Sequence, residues 1–355
     1  MLKIFGAPYR YVQGSDALQM LGQYARWLGQ RAILVIDSYV HAQYGSRIEA
    51  LCVASQIQLR TLIVQGDLTP QLIASLSEQG GQSAADMVIA AGGGKALDAG
   101  KGVAKALNKP LITVPTVASN DAPTSKNYVL YDEHHNLLAV EHMRFNPALV
   151  LVDTTVVASA PRPFFLAGLG EAISKKFEAE QCFARLGKNM YDGHSTLTAQ
   201  AIAESCLRTL LQDAEQALLV AGTGQPTPAF ERTVEAMILM SGLGFESGGL
   251  SIAHALTRGL PKIPGLATSP HGLQVAVGLL VQLDLEQRAD SSLDTLRDWY
   301  GRVGLPTTLR DIGARAPTEA ELTAAAELTL AARHTANFQR PLDPATLVAA
   351  LCRHL

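Results

Sequence analysis

Charge is scarce in this 355-residue sequence and almost balanced: Lys and Arg total 29, Asp and Glu 32, net charge is −3, and 17% of residues are charged. No basic excess speaks for nucleic acid as a partner. The four cysteines, Cys52, Cys182, Cys206 and Cys352, form no CxxC pair. That argues against a cysteine zinc site or a disulfide scaffold and points to reduced thiols in a cytoplasmic protein. No apolar run reaches about 18 residues without a charge, so no membrane span is expected. The first residues lack the long apolar core of a signal peptide. Internal repeats and low-complexity tracts are missing as well. What remains is a chain with 48% apolar residues, long enough for about two domains.

Short apolar runs alternate with helical patterns through the first half. Arg31-Ala32-Ile33-Leu34-Val35-Ile36-Asp37, the run near 59–64, Met87-Val88-Ile89-Ala90-Ala91 and Leu111-Ile112-Thr113-Val114-Pro115 read as buried strands. Amphipathic patterns separate them, among them Leu18, Leu21, Tyr24, Ala25 and Leu28 on one helical face and a helix over 69–79. This βα rhythm predicts an open parallel sheet covered by helices, with ligands at the carboxyl ends of its strands. Strand patterns at 128–131 and Leu149–Asp153 complete the half, with His134, His135 and Asn136 as a surface hairpin loop. From Pro161 and Pro163 the texture changes to long helical patterns at 164–182, 195–221, 229–243, 273–285, Ser292–Val303 and 319–333. Residues 1–160 are therefore expected to form an α/β domain and residues 161–355 an all-helical one.

Gly92-Gly93-Gly94-Lys95, with Asp98 beyond, sits between a strand and a helix over 96–107. Turn glycines admit backbone to an anion, and a helix start supplies unpaired N–H groups. A tight turn without a ligand looks the same. Asp37 closes its strand, where a carboxylate accepts hydrogen bonds from an adenosine ribose or caps the next helix. Thr116-Val117-Ala118-Ser119-Asn120-Asp121-Ala122-Pro123-Thr124-Ser125 follows another strand and reads as a polar binding loop. In the helical half, Glu171, His254 and His271 stand in apolar, small-residue settings. One carboxylate and two imidazoles suit a three-ligand zinc shell, although their spacing matches no short zinc motif.

Taken together, these pieces resemble the glycerol dehydrogenases of the iron-containing (group III) alcohol dehydrogenase superfamily. The resemblance rests on Gly92 to Lys95 with Asp98, Pro115 to Pro123, Ala167-Gly168-Leu169-Gly170, Phe245 to Leu250 with Ala253-His254-Ala255, and His271-Gly272, in that order. It covers about residues 1–305; residues 306–355 offer little to match. It implies a dinucleotide-binding α/β domain, a helical domain of the dehydroquinate synthase-like architecture, and a cleft between them for metal and substrate. It implies NAD as cofactor: Asp37 on the ribose; Gly93, Gly94 and Lys95, with Asp98, at the pyrophosphate; Thr116, Ser119, Ser125, Asn127 and Tyr131 along the groove. Asp121 would bond a substrate hydroxyl and, with His254, serve the proton transfer. Glu171, His254 and His271 would hold a divalent metal, zinc by their chemistry. The substrate would be a small polyol, the reaction oxidation of a vicinal diol such as glycerol to dihydroxyacetone, and the protein a homo-oligomer.

Two residues depart from that family. It normally has Asp at the position of Glu171, and its iron-dependent members carry His one helical turn later, where this chain has Lys175. A protonated lysine cannot ligate, and at i+4 it pairs with Glu171 without any ion. Two further readings follow: a reductase of 2-oxo or hydroxycarboxylate substrates, with Lys175 or Lys176 binding the carboxylate, and a metal-free nucleotide-binding protein with impaired catalysis.

Overall fold

The computed structural model describes residues 1–133, 136–288 and 292–355. His134 and His135 of the expected hairpin loop lie outside the described residues. The chain divides into two compact units, one of Ala7–Pro161 with Val220–Val234, the other of Met1–Gly6, Arg162–Leu219 and Glu235–Leu355.

The first unit is built on the apolar runs. Its strands are β1 (Tyr11–Gly14), β2 (Arg31–Asp37), β3 (Gln58–Val64), β4 (Met87–Gly92), β5 (Leu111–Pro115), β6 (Asn127–Tyr131), β7 (Leu137–His142) and β8 (Leu149–Asp153). Six form a sheet in the order β1-β8-β5-β4-β2-β3 with every neighbouring pair parallel. β6 and β7 make a separate antiparallel pair. Parallel strands buried on both faces need side chains that are apolar in both directions. β2 shows this: Leu34 and Ile36 pack with Ile89 and Ala91 on one face, Ile33 and Val35 with Val88 and Ala90 on the other. After β2 the chain adds β3 outside it, then returns to place β4 on its other side. The strand order therefore reverses between β2 and β4, and such a reversal opens a crevice at the strand ends. Ile36 pairs with Ala91, so Asp37 and Gly92 are the next residues of the two strands.

Helix signals in this unit hold to within a few residues. Pro70–Gly81 starts with proline and is capped by Thr69, whose hydroxyl accepts from the Leu72 N–H. Gly94–Leu107 ends at Asn108 in the left-handed conformation. The expected helix through Leu28 is shorter: a 3-10 turn over Ala17–Met20 leads into Leu21–Ala25. Leu18, Leu21 and Ala25 nevertheless bury together, with Tyr24 and Leu28 packed against them.

The second unit is helical. Ile252, Leu256, Val277, Val281, Leu322, Ala326, Leu347 and Leu351 belong to one core. The tail that carried no motif thus supplies helices Glu319–Leu330 and Pro344–Arg353 to that core. The expected single helix over 164–182 is two, Arg162–Ala172 and Lys175–Ala184. At the break, the Ser174 hydroxyl donates to the Glu171 carbonyl, a local bond that competes with the helix ladder.

The units also depart from one boundary at residue 161. Val220–Val234 stays with the sheet because Gln13 donates to the Glu231 carbonyl, Thr154 donates to the Glu231 carboxylate, and the N–H groups of Gly222 and Gly224 reach the Ala158 carbonyl. Met1–Gly6 stays with the helices through backbone bonds to His194 and a bond from the Gly6 N–H to the Ser247 hydroxyl. Among the described residues no single helix is long and apolar enough to cross a membrane.

Candidate active site

In the sheet unit the glycine turn leaves β4 directly into the helix Gly94–Leu107. Gly93 occupies the N-cap position with no side chain to cap it. The first N–H groups of this helix are thus left for an anion. Gly92 has φ +142°, and a Cβ there would stand 2.7 Å from Ala96 Cβ and 2.8 Å from Asp37 Oδ2. A Cβ at Gly94 would stand 2.7 Å from Asn120 Nδ2, and one at Gly93 3.4 Å from Val117 Cγ2. Side chains would therefore fill the space that Asp37, Val117 and Asn120 enclose. Such a cradle fits a dinucleotide, with the pyrophosphate over the glycines and Asp37 at the ribose.

The remaining expected cofactor residues divide by role. Asp37 Oδ1 accepts from the Val40 N–H, so it caps a helix while Oδ2 faces Gly92. Both readings of Asp37 are compatible. Lys95 is exposed and its ammonium lies 3.1 Å from the Gly66 carbonyl. Asp98 accepts from the Lys101 ammonium and from the Val129 N–H, which ties the helix to β6. Lys101, fully buried, also donates to the Asn127 carbonyl. It escaped the sequence reading, although its i+3 spacing from Asp98 was visible. The Asn127 amide oxygen bonds His142, and its N–H reaches the Ser125 hydroxyl. Thr116, Asp121, Thr124 and Ser125 are buried, unlike a solvated loop. Thr116 N–H donates to the Gly92 carbonyl, and Thr113 and Asn146 hold the carbonyls of Pro123 and Thr124. Ser119 is half-buried in the same loop, and burial pushes the Tyr131 hydroxyl upward, with Asp98 and Asp67 adding to it.

The helical unit brings together Glu171, His254 and His271, with one ligand atom of each within 4.8 Å of the others. Two glycines allow it. A Cβ at Gly170 would stand 2.4 Å from the Gly272 carbonyl oxygen, and one at Gly272 1.9 Å from that of Ala167. Only bare backbones pass this closely, and they set Glu171 beside His271, the first residue of helix His271–Glu286. His271 Nε2 lies 3.3 Å from Glu171 Oε2, an oxygen that is buried without a hydrogen bond.

Two more charged residues complete the cluster. Lys175 Nζ lies 2.5 Å from Glu171 Oε1 and 3.0 Å from His254 Nε2. Glu178 accepts from His254 Nδ1 at 2.5 Å and from the N–H groups of Ser251 and His254. Glu178 was missed, although Glu171, Lys175 and Glu178 sit at i, i+4 and i+7, a spacing that puts charged residues on one helical face. Lys176 pairs with Glu180 at 3.1 Å. Both lysines offered as carboxylate binders thus already have carboxylate partners.

Electrostatics follow from this packing. Burial opposes ionisation of Glu171, but Lys175, then His271 and His254, outweigh it and hold the carboxyl well below the usual range. Burial likewise opposes Glu178, and the imidazole of His254 outweighs it, leaving the carboxyl at about 2. For His254, burial and Lys175 push down while Glu178 and Glu171 push up, and the ring ends at about 9. At neutral pH His254 is therefore an imidazolium with a carboxylate on each nitrogen. Two carboxylates face two cations, and the buried cluster is neutral.

That balance decides how a metal would fit. The donors are of the kind zinc takes. An ion bonded to His254 Nε2 at about 2.1 Å cannot lie farther than about 5 Å from the Lys175 ammonium. If it shares Glu171 Oε1 as well, the limit is about 4 Å, where repulsion between charges of two and one is about 8 kcal/mol at an effective dielectric of 20, before the carboxylates offset it. The imidazole must also lose its proton first. A divalent ion does not fit this cluster with Lys175 in place.

The comparisons agree on ancestry. Residues 8–154 match the family model "Iron-containing alcohol dehydrogenase". A glycerol dehydrogenase of Thermotoga maritima is 38% identical over 90% of this chain and 87% of its own length. One from Citrobacter freundii is 34% identical over 99% of this chain and 96% of its own. The crystal structure of glycerol dehydrogenase from Schizosaccharomyces pombe superimposes with a TM-score of 0.95 at 31% identity, covering 99% of this chain and 90% of that one. The family is one of metal-dependent, NAD-linked dehydrogenases, and among the described residues the Glu171, His254 and His271 triad is where a metal site is possible once Lys175 is moved aside. Glycine cradle, ligand triad and full-length likeness converge: the chain belongs to the glycerol dehydrogenase family of the iron-containing alcohol dehydrogenases.

Proposed function

We propose that this enzyme oxidises a small vicinal diol, glycerol to dihydroxyacetone or a near analogue, with NAD as acceptor. The observation that carries the reading is the cradle of Gly92, Gly93 and Gly94 edged by Asp37, within a chain 38% identical to a glycerol dehydrogenase. NAD held in the cradle would supply the acceptor for the hydride on the carbon that bears the reacting hydroxyl, and the hydroxyl proton would leave to solvent. The chain's own residues orient and charge the site. Gly93 and Gly94 present N–H groups to the pyrophosphate, and Lys95 adds charge at the same helix start. Asp37 accepts from the ribose hydroxyls and repels an added phosphate, which favours NAD over NADP. Thr116, Ser119, Ser125, Asn127 and Tyr131 line the groove, with Asp98 bracing its wall. Asp121 accepts from a substrate hydroxyl. In the helical unit the cations of His254 and Lys175 stabilise an oxygen that gains negative charge, and His254 holds a proton at Nε2. Zinc, expected from the donor types, would have to displace Lys175 from Glu171 to bind here. Free thiols at all four cysteines accord with a reducing, cytoplasmic setting. The homo-oligomer is carried by family likeness alone, and light scattering of the purified chain checks it.

The test is NADH formation with glycerol, 1,2-propanediol and 2-hydroxy acids, each with NAD and with NADP. Turnover of the uncharged diols with NAD is expected. Turnover confined to the hydroxy acids would overturn the diol assignment.

A further inference from the structure

Lysine is rarely buried, and only when partnered. Lys175 is 1% exposed and stands on Glu171 and His254 at once, with the ring of Phe245 5.3 Å from its ammonium. Its place is specific. It reaches two of the three side chains that converge as possible metal ligands. The helix that delivers it also delivers Glu178 three residues on, to the opposite side of the same imidazole. Cation and anion thus enter from one helix face and enclose His254. A carboxylate one methylene longer than aspartate lets the residue at 171 reach the ammonium. Glu171 and Lys175 touch each other.

We propose that Lys175 is the resident cation of this site: its ammonium takes the place of the divalent ion among Glu171, His254 and His271, and the chain works as a metal-independent dehydrogenase. An ammonium supplies one positive charge where an ion would supply two. Glu171 Oε2, buried without a hydrogen bond beside the half-exposed His271, is then left to accept from a polar group of the substrate rather than to bind an ion. Lys175 holds Glu171 in position, and Glu171 and Glu178 hold His254.

The inference rests on the dehydrogenase reading for its activity arm alone; its binding arm stands without it. The full chain is expressed in zinc-supplemented medium, dialysed against a chelator, and analysed for metal. Substoichiometric metal before dialysis is expected, with a polyol oxidation rate unchanged within about twofold afterwards. One ion per chain, removed by the chelator together with activity, would overturn the proposal. Lys175→Met and Lys175→His are then titrated with Co(II). Both are expected to gain one ion per chain, with visible absorption bands and a raised melting temperature that wild type lacks. A folded variant that still takes no ion would show that Lys175 is not what keeps the metal out, and would overturn the assignment. Should Lys175→Met fail to fold, Lys175→His, which keeps a polar group beside Glu171, carries the same test. Lack of activity on every polyol, with the metal results as expected, would strike the dehydrogenase reading and with it the activity half of the proposal, and leave Lys175 as the resident cation.

Discussion

The two units build function from opposite materials. At the end of β4 the working parts are backbone N–H groups and missing side chains: Gly92, Gly93 and Gly94 leave space that Asp37, Val117 and Asn120 enclose. Around His254 the working parts are charges on long side chains, buried together and neutral as a set. A backbone cradle needs residues without side chains, so its glycines stand out in the sequence. A charge cluster has several solutions with the same sum. Two carboxylates, one ammonium and one imidazolium balance as two carboxylates, a neutral imidazole and a divalent metal would, and ligand geometry therefore does not by itself name the cation.

The largest effect should come from breaking the cluster's balance. Lys175→Met leaves the buried cluster one cation short, with Glu171 facing only His254 and His271, a loss of up to about 3–5 kcal/mol in metal-free buffer. Urea denaturation measures it, and added zinc should restore part of it. An unchanged midpoint would show that the Lys175–Glu171 pair contributes nothing. The matching break in the cradle is Gly92→Ala. Its φ of +142° strains any side chain, and the new Cβ meets Ala96 and Asp37. Strain of about 1–3 kcal/mol is expected, together with at least about a tenfold loss of NAD affinity by calorimetry, or about 1.4 kcal/mol.

This contrast explains what the sequence let us read. The parallel sheet, the glycine turn, Asp37 and the three possible ligands were legible because each leaves a local mark: a run of branched apolar residues, a glycine triplet, a lone acid or histidine in an apolar setting. Glu178 left a weaker mark, an i+7 echo of Glu171, and Lys101 one weaker still. Their roles depend on partners 76 and 26 residues away, His254 and the Asn127 carbonyl. The helix break at Ile173–Ser174 was invisible to periodicity, because a single hydroxyl bond to the Glu171 carbonyl makes it. The attachment of Val220–Val234 to the sheet unit depends on Glu231 meeting Gln13 and Thr154, contacts that no local pattern encodes.

Glu178→Gln sharpens the comparison through pH. His254 is raised from 6.5 to about 9, so its contribution to stability is complete below 6.5 and lost as pH rises through 9. Glu178 is lowered from 4.5 to about 2, so its contribution is complete above 4.5 and lost as pH falls through 2. Wild type should lose stability between pH 6.5 and 9 with a slope of at most about 1.4 kcal/mol per unit. The variant should show a shallower slope in denaturation series across that window. Parallel slopes would mean that Glu178 does not hold the proton on His254. No such dependence is expected from Gly92→Ala, because the cradle acts through backbone and space.

The smallest effect separates the two roles of Asp37. Its Oδ1 caps the short helix Ser38–Val40, while Oδ2 faces the glycine turn. Serine caps helices about as well as aspartate, so Asp37→Ser should change stability by only a few tenths of a kcal/mol. It removes the negative charge proposed to meet the ribose, so on that reading the preference for NAD over NADP, as a ratio of kcat/KM values, should fall by about tenfold or more, since the repulsion of a 2′-phosphate disappears with the carboxylate. A variant with lost stability and an unchanged ratio would make Asp37 a cap and nothing else. The cofactor preference would then have to come from the hydroxyl-rich groove, and the cradle would carry less of its specificity in a single charge than the cluster around His254 does.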